Sequence, residues 1–156
     1  MEQKTKVTAE EGKHDLFITR DFDLPLNLVF KAYTEPGLIE QWMGTKVLKM
    51  ECKKFGGWQF ETKDTKGNVV FAASGVIHEF NENRKITRTF EMDNTPYGVQ
   101  LEINEFKKLS EETSQLTIHS IYETVAQRDQ VLKLPFAQGI NWAHNRLEEV
   151  LKKLNN

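Results

Sequence analysis

The sequence has one cysteine, Cys52, and no long apolar run near its start. One cysteine cannot form a disulfide within the chain, so the composition suits a reducing compartment. The missing apolar run argues against a signal peptide and against a membrane-spanning helix. The expected location is therefore the cytoplasm.

The sequence also has little net charge and few motifs of catalysis. The net charge is -2, and both signs are spread along the chain, whereas nucleic-acid-binding proteins usually concentrate Lys and Arg on one face. Closely spaced metal-binding histidines, a Gly-x-Ser-x-Gly elbow and a phosphate loop ending in Gly-Lys-Ser/Thr are all missing. No metal, no cofactor and no nucleic-acid partner is predicted.

What remains is the composition of an ordinary globular protein. The chain has 156 residues, of which 38% are hydrophobic and 28% charged, which is enough to bury a core without disulfides. Residues 1–13 are polar and without period, so we interpret them as a flexible leader. Residues 14–156 are interpreted as a single domain.

The most regular pattern lies at the end of the chain, from Ala137 to Leu154. At helical spacing, an apolar stripe forms from Ile140, Ala143, Leu147, Val150, Leu151 and Leu154. The opposite side then carries Asn145, Arg146, Glu148, Glu149, Lys152 and Lys153. A weaker helical run from Glu123 to Leu134 should end at Pro135. We expect a long helix packed on a larger partner.

Alternating runs before this helix predict that partner to be a sheet. The first strand has Leu16, Ile18 and Phe22 on one face. Two short helices follow, one opened by Pro25 with Asp23 near its cap and one stopped by Gly44. Strand-like runs separated by short turns then continue to Tyr122. The predicted class is α+β: a curved antiparallel sheet of about seven strands around a long C-terminal helix, with two short helices after the first strand.

Glycine and small residues mark turns and close approaches. Gly56-Gly57 predicts a turn or bulge, and residues 64–68 (DTKGN) predict a hairpin turn. Small residues at 72–75 (AASG) lie in the middle of the longest strand. They would let a backbone, a helix or a ligand approach the sheet.

Several motifs in this order resemble the START-like, helix-grip (SRPBCC) superfamily. The similar segments are 22–25 (FDLP), 29–36 (VFKAYTEP), 41–44 (QWMG), 55–58 (FGGW), 64–67 (DTKG) and 75–80 (GVIHEF). The narrower resemblance is to homologues of the activator of the heat-shock-protein-90 ATPase. The chain departs from that pattern at Tyr33, Thr45 and Ile140, so a ligand preference does not transfer.

The resemblance implies a helix-grip fold, in which the sheet and the C-terminal helix enclose an apolar cavity. Members of the superfamily bind lipids, sterols, polyketides or plant metabolites, and a few are cyclases. Others activate chaperones. The candidate ligand-binding residues are the aromatic and polar side chains expected on the inward faces: Trp42, Trp58, Phe60, Phe71, Ser74, Arg88, Phe90, Tyr97, His119, Tyr122, Phe136 and Trp142. The alternative is that the aromatic residues only fill the core.

Arg88 and the histidines have alternatives of their own. Arg88 lies between Ile86 and Phe90, so an inward-facing Arg88 would need a partner such as a ligand carboxylate, unless it lies on an exposed edge. His78 and His119 alternate with apolar neighbours and could act as acids or bases in the cavity, or lie on the surface. Cys52 is expected to be structural, although Lys53 and Lys54 could lower its pKa.

Three functions remain open on these grounds. The favoured one is binding of a small hydrophobic or amphipathic molecule between the sheet and the C-terminal helix. The second is a chaperone-linked or stress-response module that binds another protein. The third is a cyclase or hydrolase that uses the cavity. The chain is expected to be a monomer or a homodimer.

Overall fold

A computed structural model describes residues 3–155 of the chain. In chain order the elements are β1 Lys6–Thr8, β2 Asp15–Phe22, α1 Leu26–Thr34, α2 Pro36–Met43, β3 Lys46–Met50, β4 Gly57–Lys63, β5 Val69–Asn81, β6 Lys85–Met92, β7 Val99–Lys108, β8 Ser114–Ile121, α3 Val125–Leu132 and α4 Phe136–Asn155. None of these helices is long and apolar enough to cross a membrane. The predicted α+β class is confirmed.

All strands belong to one antiparallel sheet in the order β1-β2-β8-β7-β6-β5-β4-β3. Strands β3 to β8 follow one another as a meander, because short turns connect them. The two short helices carry the chain from β2 to the opposite edge at β3, and β8 closes the arrangement by pairing with β2. Within residues 3–155 the sheet has eight strands where the sequence predicts about seven, and the extra strand is β1.

The sheet has an inner face covered by helices and an outer face turned to solvent. Along β8, Leu116, Ile118 and Ser120 are buried and their neighbours are half-buried. Since side chains alternate between faces, the buried set defines the inner face. The pairing register then shows which residues of the other strands lie on the inner face, because directly paired residues share a face.

Helix α4 lies across the inner face, but its buried side differs from the predicted stripe. Leu147 and Leu151 are fully buried as predicted, while Leu154 is 61% exposed. The buried side also includes Asn141, His144 and Glu148, and Glu148 was predicted on the solvent side. These polar residues are buried because they bond to Thr5, Arg20, Asp23 and Tyr33.

The segment predicted as a loose leader contains β1, which pairs with β2 through Val7 and Ile18. Thr5 is 1% exposed, and its amide donates to Asn141 Oδ1 of α4 at 2.9 Å. The segment is polar and aperiodic, so alternation does not reveal a strand of three residues. The Asp23 cap is also wrong: α1 has no side-chain cap, and the Asp23 amide instead donates to Glu148 at 2.8 Å.

The predicted turns are confirmed, with one change in the residue that bears the unusual backbone angle. Asp64 Oδ1 accepts from the amides of Lys66 and Asn68 in the β4–β5 hairpin. In the turn before β4, Phe55 has the positive φ of 67°. Gly56 is needed there for space, because a Cβ would lie 2.0 Å from the Glu51 carbonyl oxygen.

Candidate ligand-binding site

An aromatic group covers the inner face where β4, β5 and β6 meet. The ring centroid of Trp58 lies 4.9 Å from that of Phe60 and 5.4 Å from that of Phe90. Trp58 is fully buried and fits beside Gly75, where a Cβ would lie 2.6 Å from the indole nitrogen and 1.9 Å from the Thr89 carbonyl oxygen. The small residue in the longest strand therefore accommodates Trp58 and the Thr89 carbonyl.

An ion pair lies directly beside this aromatic group. Arg88 Nε donates to Glu102 Oε1 at 2.9 Å, and the two side chains are 11% and 15% exposed. The guanidinium carbon lies 4.3 Å from the centre of the Trp58 ring, within cation–π range. The partner that Arg88 requires is thus a carboxylate of the chain itself, and the pair carries no net charge.

From Val99 to Asn104, strand β7 presents polar residues inward and apolar residues outward, which is the reverse of the usual arrangement. Gln100 and Asn104 are buried, whereas Val99 and Leu101 on the outer face are 39% and 36% exposed. Asn104 is 2% exposed and its Nδ2 donates to the Ile86 carbonyl oxygen at 3.2 Å. That bond fixes the orientation of the amide. Asn104 Oδ1 has no hydrogen-bond partner among residues 3–155.

Tyr33 of α1 faces the same part of β7. Its ring lies 5.6 Å from that of Phe106, the inner-face neighbour of Asn104 along the strand. Burial, together with the negative charge of Glu102, raises the pKa of Tyr33 above its ordinary value. The side chain nevertheless keeps part of its surface exposed.

A chain of hydrogen bonds orients the Tyr33 hydroxyl. Thr5 Oγ1 accepts from Arg20 Nη1 at 3.2 Å and lies 2.9 Å from His144 Nδ1. We assign the Thr5 hydrogen to that contact, and with this assignment the ring hydrogen of His144 lies on Nε2, 3.0 Å from the Tyr33 oxygen. Burial, assisted by the positive charge of Arg20, lowers the pKa of His144 to about 3. The neutral ring thus donates to Tyr33.

Tyr122 lies inside the fold immediately after β8. It is 3% exposed, and burial together with the charge of Glu102 raises the pKa of its hydroxyl. We call Tyr33, Arg88, Glu102, Asn104 and Tyr122 the interior polar cluster. It offers hydrogen-bond donors and acceptors in apolar surroundings without a net charge.

Apolar side chains beside the cluster keep part of their surface exposed although they pack against the core. This half-buried group contains Phe71, Phe90, Tyr97, Phe136 and Ile140. Tyr97 precedes Gly98, whose φ of 71° brings the β6–β7 loop against Gln127 and Glu123 near α3. The start of α4, the β6–β7 loop and α3 therefore border this end of the interior.

Four of the predicted ligand-binding residues belong neither to the aromatic group around Trp58, nor to the interior polar cluster, nor to the half-buried apolar group. His119 is on the outer face, where its ring stacks on Phe17 at 4.1 Å and its Nε2 lies 2.7 Å from Asp15. Ser74 is on the outer face as well, because it pairs with the exposed Gln59. Trp142 is 63% exposed on the solvent side of α4. Trp42 is buried behind the cluster: its ring lies 5.2 Å from that of Tyr33, and its indole nitrogen donates to the Ala32 carbonyl oxygen at 2.7 Å.

The residues proposed for acid, base or thiol chemistry do not converge either. His78 is exposed and contacts Phe55 edge to face, with ring centroids 6.2 Å apart. The Cys52 thiol is half-buried and lies 3.6 Å from the Thr34 carbonyl oxygen. Burial raises its pKa, so the thiolate form that attacks substrates is disfavoured.

Two hollows of the described surface lie elsewhere. One, of about 590 Å³, is lined by residues including Lys4, Phe22 and Glu148 at the end of β2. The other, of about 370 Å³, lies between the end of α2 and strands β3 and β4. Neither is lined by any predicted ligand-binding residue, and both are open grooves. No member of the interior polar cluster lines either hollow.

Sequence reasoning missed Tyr33, Glu102, Asn104 and His144 as members of the site or its supports. The inward side of β7 carries polar residues, which in a strand ordinarily indicate the face turned to solvent. One signal was available for His119: it alternates with Leu116 and Ile118 and must lie on the opposite face.

Comparisons with known proteins agree with this architecture. The sequence profile of the family described as Activator of Hsp90 ATPase homolog 1-like protein matches residues 23–152. No curated protein sequence matches the chain.

Many solved structures share the fold. Protein Ms6760 from Mycobacterium smegmatis superimposes with a TM-score of 0.82 at 19% identity, covering 94% of this chain and 96% of that chain. A protein from Rhodobacter sphaeroides gives 0.83 at 18% identity, covering 95% and 99%. Protein NE0264 from Nitrosomonas europaea gives 0.77 at 23% identity, covering 94% and 99%. At these identities the likeness establishes the fold.

Proposed function

We propose that this chain, which belongs to the Activator of Hsp90 ATPase homolog 1-like protein family, binds a small amphipathic molecule between the inner face of its sheet and helix α4. The apolar part of the ligand contacts Trp58, Phe90 and the half-buried side chains around them. Its polar end reaches the interior polar cluster.

The observation that carries this proposal is the interior polar cluster itself. Burying the Arg88–Glu102 pair costs desolvation energy that an apolar pair of similar volume would avoid. A face that only had to pack against helices would therefore be expected to carry apolar residues. A few inward polar groups among aromatic side chains are typical of small-molecule sites.

Native mass spectrometry of the protein purified from its own host tests the proposal. We expect a bound mass that is lost in the denaturing spectrum, which also identifies the ligand class. A bare chain that stays bare after incubation with lipid and aromatic-metabolite mixtures would contradict binding.

A pair of variants locates the bound molecule. Phe90→Ala removes a half-buried ring of the lining and should weaken binding about tenfold or more, since 1.4 kcal/mol corresponds to tenfold. Trp142→Ala removes a larger ring that is 63% exposed and should leave the affinity unchanged. Equal effects of the two variants would place the ligand elsewhere.

A further inference from the structure

We infer that the polar end of the ligand is a neutral hydroxyl group, which donates its hydrogen to Asn104 Oδ1 and accepts the hydrogen of Tyr33. This inference rests on the proposed function and specifies the chemistry of the same site.

The acceptor half of the site is Asn104. Its side chain belongs to the inner face of β7 and is 2% exposed. The nitrogen of the amide is committed to the Ile86 carbonyl oxygen, so exchanging the nitrogen and oxygen positions would sacrifice that bond. Leaving a buried oxygen without a donor costs ~1–3 kcal/mol. A ligand that donates a hydrogen to this oxygen recovers that free energy.

The donor half of the site is Tyr33. Its oxygen already accepts from His144 Nε2 in the assigned tautomer, so the hydroxyl keeps its own hydrogen for donation. Within residues 3–155 the hydroxyl makes no other hydrogen bond. Its ring lies 5.6 Å from that of Phe106, the inner-face neighbour of Asn104, so Tyr33 lies over this part of β7.

The charges around these two groups select against an ionised ligand. Arg88 is neutralised by Glu102 at 2.9 Å, and the carboxylate of Glu102 acts on both Tyr33 and Tyr122. A ligand carboxylate would meet that negative charge and could not donate a hydrogen to Asn104. A hydrocarbon would leave Asn104 Oδ1 without a partner. An alcohol or phenol satisfies both Asn104 and Tyr33.

Three probes of one shape separate these alternatives: naphthalene, 2-naphthol and 2-naphthoate, titrated into the full chain by calorimetry at neutral pH. We expect 2-naphthol to bind about tenfold or more tightly than either of the others. In Asn104→Leu, the preference for 2-naphthol over naphthalene should fall to about twofold or less, with naphthalene still bound.

Two further variants keep the test decisive if Asn104→Leu does not fold. Tyr33→Phe removes only the donor hydroxyl and should also reduce the preference. Ser74→Ala removes a hydroxyl from the outer face and should leave it unchanged. Equal binding of naphthalene and 2-naphthol, tightest binding of 2-naphthoate, or a preference that survives in both site variants would overturn the inference while leaving a binding protein. Failure of all three probes to bind would overturn the inference, while a co-purifying ligand in the native mass spectrum would still support the proposed function.

Discussion

Leu147→Ala is the sharpest test of how α4 is held against the sheet. Leu147 is fully buried in the middle of the helix, so the substitution removes its transfer free energy and leaves a cavity beneath α4. Such changes cost ~2–5 kcal/mol, with the larger values where the surroundings cannot relax. For a domain of this size each kcal/mol lowers the melting temperature by roughly 2–4 °C. A loss near the middle of the range, about 3.5 kcal/mol, therefore lowers it by roughly 7–14 °C.

Leu154→Ala is the matched control because it makes the same chemical change in the same helix. Leu154 is 61% exposed, and a surface substitution of this kind should stay within ~0.5 kcal/mol. Urea denaturation of the two variants, with a common slope, gives both free energies of unfolding. A loss below ~1 kcal/mol for Leu147→Ala, or equal losses at both positions, would refute the assigned buried side of α4.

Two other predictions concern pH and backbone space. The pKa of His144 is lowered to about 3, below the ~6.5 expected when the chain is unfolded. Between these pH values the unfolded state therefore binds more protons than the folded state. The free energy of unfolding should fall as the pH drops from ~6.5 towards 3, by up to ~1.4 kcal/mol per pH unit. NMR signals of the His144 ring that titrate near ~6.5 in the folded protein would contradict this. Gly75→Ala should destabilise the fold by ~1–3 kcal/mol because its Cβ would overlap Thr89. Gly139→Ala has open space in α4 and should stabilise the fold by ~0.5–1 kcal/mol. Denaturation curves that shift in the same direction for both variants would show that the glycine environments are misassigned.

The fold was accessible from the sequence because its signals are local. Apolar alternation, the prolines at positions 25, 36 and 135, and Gly44 at the end of α2 each act within one element. Strand β1 was missed because a strand of three residues between polar neighbours shows no alternation. Thr5, directly before this strand, is held by Asn141 and His144, which are far away in the chain.

The site was less accessible because it depends on which face of each strand turns inward. Trp58, Phe60 and Arg88 lie on the inner face together with their apolar neighbours. Glu102 and Asn104 contradict the rule that polar residues face solvent, and only the register with Arg88 and Ile86 brings them inside. Tyr33 reads as an ordinary helix core residue until His144, over a hundred positions later, is placed beside it.

The bond between Thr5 and Asn141 also constrains when the protein can finish folding. The two residues are 136 positions apart, so during synthesis at ~5–20 residues per second Thr5 has to wait roughly 7–27 s before its partner exists. Until then, Arg20 on β2 lacks the contacts that α4 supplies. The segment that opens the chain should therefore be among the last to gain protection from proteases and from hydrogen exchange.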